Sequence, residues 1–233
     1  MERIKTGIKG FDNLIEGGFP KGSTTLLSGT PATAKTIFGL EFLINGAEKF
    51  NESGLYVSFE EKIEDLENQA AQFNWNIKKL KTSEKLKFIS VPASEINKET
   101  IKEIITNIKK NNIKRLVIDS LSTLSINTPT VYSDINQIGE YAVKRFIYSF
   151  IDELRSMKDT TSLIISQTAS DSELSRDDVS EFLCDGIIHV IFESMGGQFS
   201  RSLIVRKMRR TKNDEDIHPL EISKNGLVVH SIK

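Results

Sequence analysis

Several things are scarce in this chain, and each scarcity excludes something. One cysteine, Cys184, stands among 233 residues, so no intramolecular disulfide can form, and a reducing, cytoplasmic setting is expected. Its neighbours Phe182, Leu183, Ile187 and Ile188 are apolar, which predicts a packed thiol rather than a nucleophile. Three histidines, His189, His218 and His230, are widely spaced and have no second cysteine to join them, which argues against a structural metal site. No apolar run approaches the ~20 residues of a membrane helix. The opening Met1-Glu2-Arg3-Ile4-Lys5 lacks the apolar core of a signal peptide. A formal net charge of −1 gives no overall pull toward nucleic acid or membrane. Repeats, linkers and low-complexity segments are missing too, so residues 1–233 are expected to form one domain with a full core.

What is present is organised around Gly29-Thr30-Pro31-Ala32-Thr33-Ala34-Lys35-Thr36. An apolar strand (Thr25, Leu26, Leu27) leads into it, and an amphipathic helix beginning near Ile37 leads out. That is the layout of a phosphate-binding P-loop, where loop amides and a helix N-terminus make a donor site for anions. Lys35 is expected to reach the β- and γ-phosphates, and the Thr36 hydroxyl to ligate Mg²⁺. The pattern asks for GxxxxGK[ST], but Ala34 stands at the final glycine, where a Cβ penalises positive φ. On these eight residues alone, a loop that merely turns a strand into a helix stays open.

Further along, strands and helices alternate. Strands are expected at Gly54–Glu61, Leu86–Val91, Arg115–Ser120, Ser162–Gln167, Gly186–Phe192 and Ser202–Met208, with short ones near Leu220–Ile222 and Leu227–Val229. Helices are expected near Phe11–Ile15, over 62–73 (Ile63, Leu66, Ala70 and Phe73 on one face), over 95–111, and over 136–158 with Tyr141, Phe146, Phe150, Ile151 and Leu154 apolar. This predicts an α/β fold: a mostly parallel sheet with helices on both faces and antiparallel strands at its C-terminal edge.

In such sheets ligands sit beyond the carboxyl ends of the strands. Four polar groups fall there: Thr33–Thr36, Glu60 with Glu61, Asp119 with Ser120, and Gln167. An acid closing an apolar strand is a Walker-B pattern, and Asp119 is expected to support Mg²⁺. Glu60 or Glu61 would polarise a water toward the γ-phosphate, and Gln167 would bond that phosphate and sense its loss. Each alone reads equally well as a turn residue. Together they favour a nucleotide.

The combination resembles a family. Thr6-Gly7-Ile8-Lys9-Gly10-Phe11-Asp12-Asn13-Leu14, then Gly17–Gly22, is similar to the start of RecA-superfamily ATPases, and more closely of their KaiC-like branch, which includes single-domain archaeal proteins grouped as RadA paralogues. SFEE (Ser58–Glu61) looks like the KaiC glutamate pair, and VIDSLSTL (Val117–Leu124) like its Walker B. EFLCDGIIHV (Glu181–Val190) and SLIVRKMRRT (Ser202–Thr211) resemble its last strands. The resemblance covers the whole chain. It implies ATP and Mg²⁺ as ligands, held by Thr30 to Ile37 with Asp119 and Gln167, and a hexameric ring with ATP between subunits. Lys207 and Arg209, the family's Lys-x-Arg pair, would then face the neighbour's nucleotide, which makes sense where transferring charge is met by a donor that only assembly supplies. The bland alternative is that Arg201, Arg206, Lys207, Arg209, Arg210 and Lys212 form a solvated basic strand edge.

Departures from the family pattern shape the expected function. Relatives usually carry glycine at Ala32 and Ala34, which leaves a degenerate, non-hydrolysing scaffold as an alternative to slow ATP hydrolysis. Glu181 and Phe182 occupy the places of the autokinase Ser-Thr pair, which disfavours self-phosphorylation. The stretches after Leu124 and Gln167 should face a ring's centre. Residues 126–140 hold Asp134 and Glu140 and no Lys or Arg, and residues 168–181 hold five acids against Arg176. Acidic loops repel phosphates, so single-stranded DNA binding is disfavoured and a regulatory protein partner preferred.

Overall fold

The computed structural model describes residues 1–126, 136–192 and 200–232. The first half runs β1 (Arg3–Ile4), β2 (Phe19–Pro20), β3 (Thr24–Gly29), α1 (Lys35–Lys49), β4 (Gly54–Ser58), α2 (Ile63–Ala71), α3 (Ile77–Thr82), β5 (Leu86–Ser90), α4 (Lys98–Lys110) and β6 (Arg115–Asp119). The second half runs α5 (Leu121–Ile126), α6 (Asn136–Ser156), β7 (Thr161–Gln167), α7 (Ser180–Leu183), β8 (Gly186–Phe192), β9 (Arg201–Met208), β10 (His218–Ser223) and β11 (Gly226–Val229). Nine strands form one sheet in the order β11-β10-β9-β8-β3-β7-β6-β4-β5, and β1 and β2 make a separate antiparallel ribbon. From β8 to β5 every pairing is parallel; from β8 to β11 every pairing is antiparallel. The expected α/β architecture is therefore the observed one.

Strand residues alternate between two apolar layers, as a period of two dictates. Leu27, Tyr56, Val117, Leu163, Ile165 and Ile188 face α1 together with Phe38, Phe42 and Leu43, and the ribbon's Phe19 joins this layer. Leu26, Leu55, Val57, Leu116, Ile118, Ile164 and Ile187 face α4 and α6 through Ile104, Ile108, Ile147, Ile151 and Leu154. Both faces of the parallel strands are thus covered, which is why these strands read as unbroken apolar runs. Tyr141, expected on the apolar side of α6, is instead exposed.

Local chemistry trims the expected helices. α4 starts at Lys98 because the Asn97 side chain accepts from Thr100 N at 2.9 Å, an N-cap that places the helix start after residue 95. α2 ends at Ala71, and the chain then turns through Asn74 at a positive φ of 60°. Arg115, 1% exposed, ties the sheet to α1 and the N-terminal segment. Its guanidinium donates to Glu52 Oε2 at 2.5 Å, Phe42 O at 2.7 Å and Lys5 O at 2.8 Å. Among the described residues, no helix is long and apolar enough to cross a membrane.

Candidate nucleotide site

The parallel registers bring five strands to one edge: Gly29 lies opposite Gln167 and Val190, and Ser58 opposite Asp119. A cavity of about 400 Å³ opens there, within the size range of ligand pockets. Pro31 to Ile37, Glu60, Glu61, Asp119 and Gln167 all line it. Of the loop residues expected to contact ligand, Thr30 alone does not. Its hydroxyl donates to Asp171 Oδ1 at 3.1 Å, on the loop that follows β7.

The loop's path is set by backbone conformation. Gly29 has φ +154°, and a Cβ there would lie 2.3 Å from the Val190 carbonyl oxygen, so strand β8 leaves room only for glycine. Ala32 and Ala34 have φ of 65° and 72°. Both alanines hold the left-handed conformation that glycine adopts without strain, at about 1 kcal/mol each. The loop shape survives the missing glycines. Lys35 Nζ curls onto this loop, donating to Gly29 O at 2.9 Å, Thr30 O at 2.7 Å and Thr33 Oγ1 at 3.1 Å. Burial lowers its pKa, while Asp119 and Glu60 pull it the other way.

Beside it, Thr36 Oγ1 donates to Asp119 Oδ2 at 2.9 Å, and Tyr56 OH donates to the same oxygen at 2.5 Å. Burial pushes the Asp119 carboxyl up, and these two hydrogen bonds restrain it. The hydroxyl and carboxylate form an all-oxygen pair. Among the described residues, no group of three His, Cys, Asp or Glu side chains could cage a metal. A short oxygen set fits Mg²⁺, which keeps waters and shares phosphate oxygens, better than it fits a caged ion.

Glu60 is fixed from two neighbouring strands. Its Oε1 accepts from the Ser120 hydroxyl and from Thr123 Oγ1 (2.6 Å), and its Oε2 from Gln167 Nε2 (2.7 Å). Glu61 is turned toward α2, where Gln69 donates to it, and burial followed by the Asp119 charge raises its pKa. His189 supports the loop from below. Its Nε2 lies 3.0 Å from the Asp171 carbonyl, which can only accept, so Nε2 carries the proton and the Ser28 hydroxyl donates to Nδ1 at 2.9 Å. Burial lowers its pKa and favours this neutral form.

Lys207 and Arg209 are not in the cavity. β9 runs antiparallel to β8, so Gly186 pairs with Met208 at the far edge while Arg201 pairs with Phe192 at the cavity edge. The basic strand is therefore split. Arg201 lines the cavity, donates through Nε to Ala32 O at 3.0 Å, and places its guanidinium 4.9 Å from the Phe192 ring centre. Lys207 Nζ donates to Glu181 O at 2.9 Å, and Arg209 to Phe182 O at 3.1 Å. Sequence reasoning assigned Arg201 no role of its own; only the direction of β9 separates it from the other cations. Gln69, Ile222 and the Tyr56 hydroxyl were missed as well, because each reads as an ordinary helix or strand position.

Comparison with known proteins agrees with this fold. The family model "ATPase: KaiC" matches residues 4–233. The chain belongs to the KaiC ATPase family. A UPF0273 protein of Pyrococcus horikoshii is 34% identical over 99% of this chain and 95% of its own length. A circadian clock oscillator protein KaiC, from Parasynechococcus marenigrum, is 29% identical over 98% of this chain. This KaiC-family chain spans 45% of that longer relative and nearly all of the UPF0273 protein. The crystal structure of a KaiC-like protein from hyperthermophilic Pyrococcus horikoshii superposes with a TM-score of 0.85, at 31% identity and 99% coverage of both chains.

Proposed function

We propose that this chain is a slow Mg²⁺-dependent ATPase that works as a homo-oligomeric ring, with ATP in the cavity of one copy and Lys207 and Arg209 reaching it from the next. The observation that carries this reading is the convergence of Lys35, Thr36, Asp119, Glu60 and Gln167 on one cavity at the carboxyl edge of the sheet. In it, the amides of Ala32 to Thr36 and the Lys35 ammonium hold the β- and γ-phosphates. Thr36 and Asp119 hold Mg²⁺, which neutralises phosphate charge when bound. Arg201 closes the loop side. Glu60 orients the attacking water and takes its proton, Gln167 reads the γ-phosphate through its bond to Glu60, and Glu61 is the secondary carboxylate.

The far-edge position of Lys207 and Arg209 suits action on another copy's phosphates rather than on this one's. Mixing Lys35→Ala protein with Arg209→Ala protein tests that arrangement. Each variant alone should release little phosphate, and mixed rings should regain activity, because a Lys35→Ala copy lends its intact Arg209 to a neighbour. Absence of complementation would count against a shared site.

A scaffold that binds without turnover is the second reading, and the strained Ala32 and Ala34 favour it. Autophosphorylation and DNA binding have less support. Asp177 is occupied in capping α7 through Val179 N (2.9 Å) and Ser180 N (2.6 Å), while Asp171, Glu173 and Asp178 stay exposed on 168–181, a charge that suits a basic protein surface. Most of the companion stretch 126–140 lies outside the described residues.

A further inference from the structure

Asp185 sits between α7 and β8, where the chain turns into the sheet, and it is 7% exposed. Its carboxylate is divided between two tasks. Oδ2 accepts from Thr24 N at 3.1 Å, fixing the start of β3. Oδ1 accepts from two guanidinium groups, Arg209 Nη1 and Arg155 Nη2, each at 3.3 Å. Its backbone carbonyl also accepts from Arg209 N at 2.8 Å. One residue therefore holds both the main chain and the side chain of Arg209.

We propose that Asp185 is a positioning residue that mounts Arg209 for the ATP of the neighbouring copy. This rests on the reading above, in which Arg209 acts across the interface. Three observations distinguish a mount from a parking place. Arg209 commits only two of its five N–H donors, one to Asp185 and one to the Phe182 carbonyl, and its side chain stays 42% exposed, so a face of the fork remains for phosphate. Asp185 carries one negative charge against Arg155, Arg209 and the adjacent Lys207, so the cluster keeps a positive excess. Lys207 shares the same support, since its ammonium also lies 3.4 Å from the Phe182 carbonyl. A pair of cations anchored on one short turn keeps its spacing before the partner arrives, and that preorganisation is what a charge-stabilising donor needs.

Asp185→Asn separates the two tasks. The amide oxygen can still accept from Thr24 N, which leaves the amide NH₂ facing both guanidinium groups and removes their anchor. In the assembled protein, kcat for ATP should fall roughly 10- to 100-fold with KM within about twofold of wild type, since misplacement of about 1 Å has that effect on a reacting group. Arg209→Ala should cost about 10³-fold. The double variant Asp185→Asn/Arg209→Ala should be no slower than Arg209→Ala alone, because Asp185 acts only through Arg209. Unchanged or raised kcat in Asp185→Asn, or effects that multiply in the double variant, would overturn the proposal. If Arg209→Ala itself leaves kcat unchanged, the trans-acting reading falls and takes this one with it. If Arg209→Ala is slow while Asp185→Asn is not, only the mount falls. Should Asp185→Asn fail to fold, the charge-balanced Asp185→Asn/Arg155→Met is measured instead, with the same outcomes deciding.

Discussion

Gln167 Nε2 donates to Glu60 Oε2 at 2.7 Å, joining the end of β7 to the turn after β4 across the intervening end of β6. Ser120 and Thr123, which follow β6, hold the other oxygen of the same carboxylate. Glu60 is thus placed by three strand ends at once, whereas Glu61 is held toward α2. This asymmetry separates two neighbouring acids that share one short motif.

It predicts unequal effects on turnover. Glu60→Gln should lower kcat by about 10²- to 10³-fold while ATP affinity holds within a few-fold, the range expected for a lost general base. Glu61→Gln should cost about tenfold or less. Steady-state phosphate release by the two variants checks this, and the reverse order would assign the water to Glu61.

Ala32 gives a second prediction. It is exposed, so replacing it with glycine sacrifices little packing and removes a left-handed Cβ. Ala32→Gly should raise unfolding free energy by about 1 kcal/mol. Denaturant melts of the two proteins would show it; a loss of stability would mean that the flexibility gained by the unfolded chain outweighs the strain relieved.

Arg115 gives a third. Arg115→Met keeps the volume but leaves Glu52 unpaired and takes a donor from the Lys5 carbonyl, so stability should fall by about 3 kcal/mol. Urea unfolding measures this, and a change below about 1 kcal/mol would show that the strut is dispensable.

The fourth concerns pH. Burial pushes the Glu41 carboxyl up to about 7, while Leu227 N–H, Lys49 and Asn45 act in the other direction. Leu227 N donates to Glu41 Oε2 at 2.7 Å, so this acid links α1 to β11. In the unfolded chain the carboxyl ionises near 4.5, and in the folded chain it keeps its proton until about 7. Its contribution to stability is therefore full below 4.5, declines as pH rises to about 7, and is flat above, a total change of up to about 3 kcal/mol. Glu41→Gln should remove that slope, gaining stability over wild type at pH above 7 and little near pH 5. Parallel curves for the two proteins would contradict it.

How much of this was legible depended on whether a feature is local. β6 could be read because an apolar run closed by Asp119 carries its own signal, and so could the order strand, loop, Lys35, helix. The ribbon β1–β2 could not, since strands of two residues have no periodicity to detect. Nor could α3, α5 and α7, none longer than six residues. Arg201 and Arg209 differ in surroundings only because β9 returns antiparallel and carries them to opposite edges. Asp185 read as a residue before a strand, and its two guanidinium partners come from α6 and from the residue that follows β9. The two alanines raised a doubt in the sequence that the backbone partly answers: both take the conformation glycine would take.

The central claim is that the cavity at residues 31–37 binds ATP with Mg²⁺. Isothermal titration of ATP into the protein, with and without Mg²⁺ and beside Lys35→Ala, tests it most directly. Saturable binding that strengthens with Mg²⁺ and is lost in Lys35→Ala is the predicted result. No heat in wild type, or binding indifferent to both Mg²⁺ and Lys35, would contradict the account.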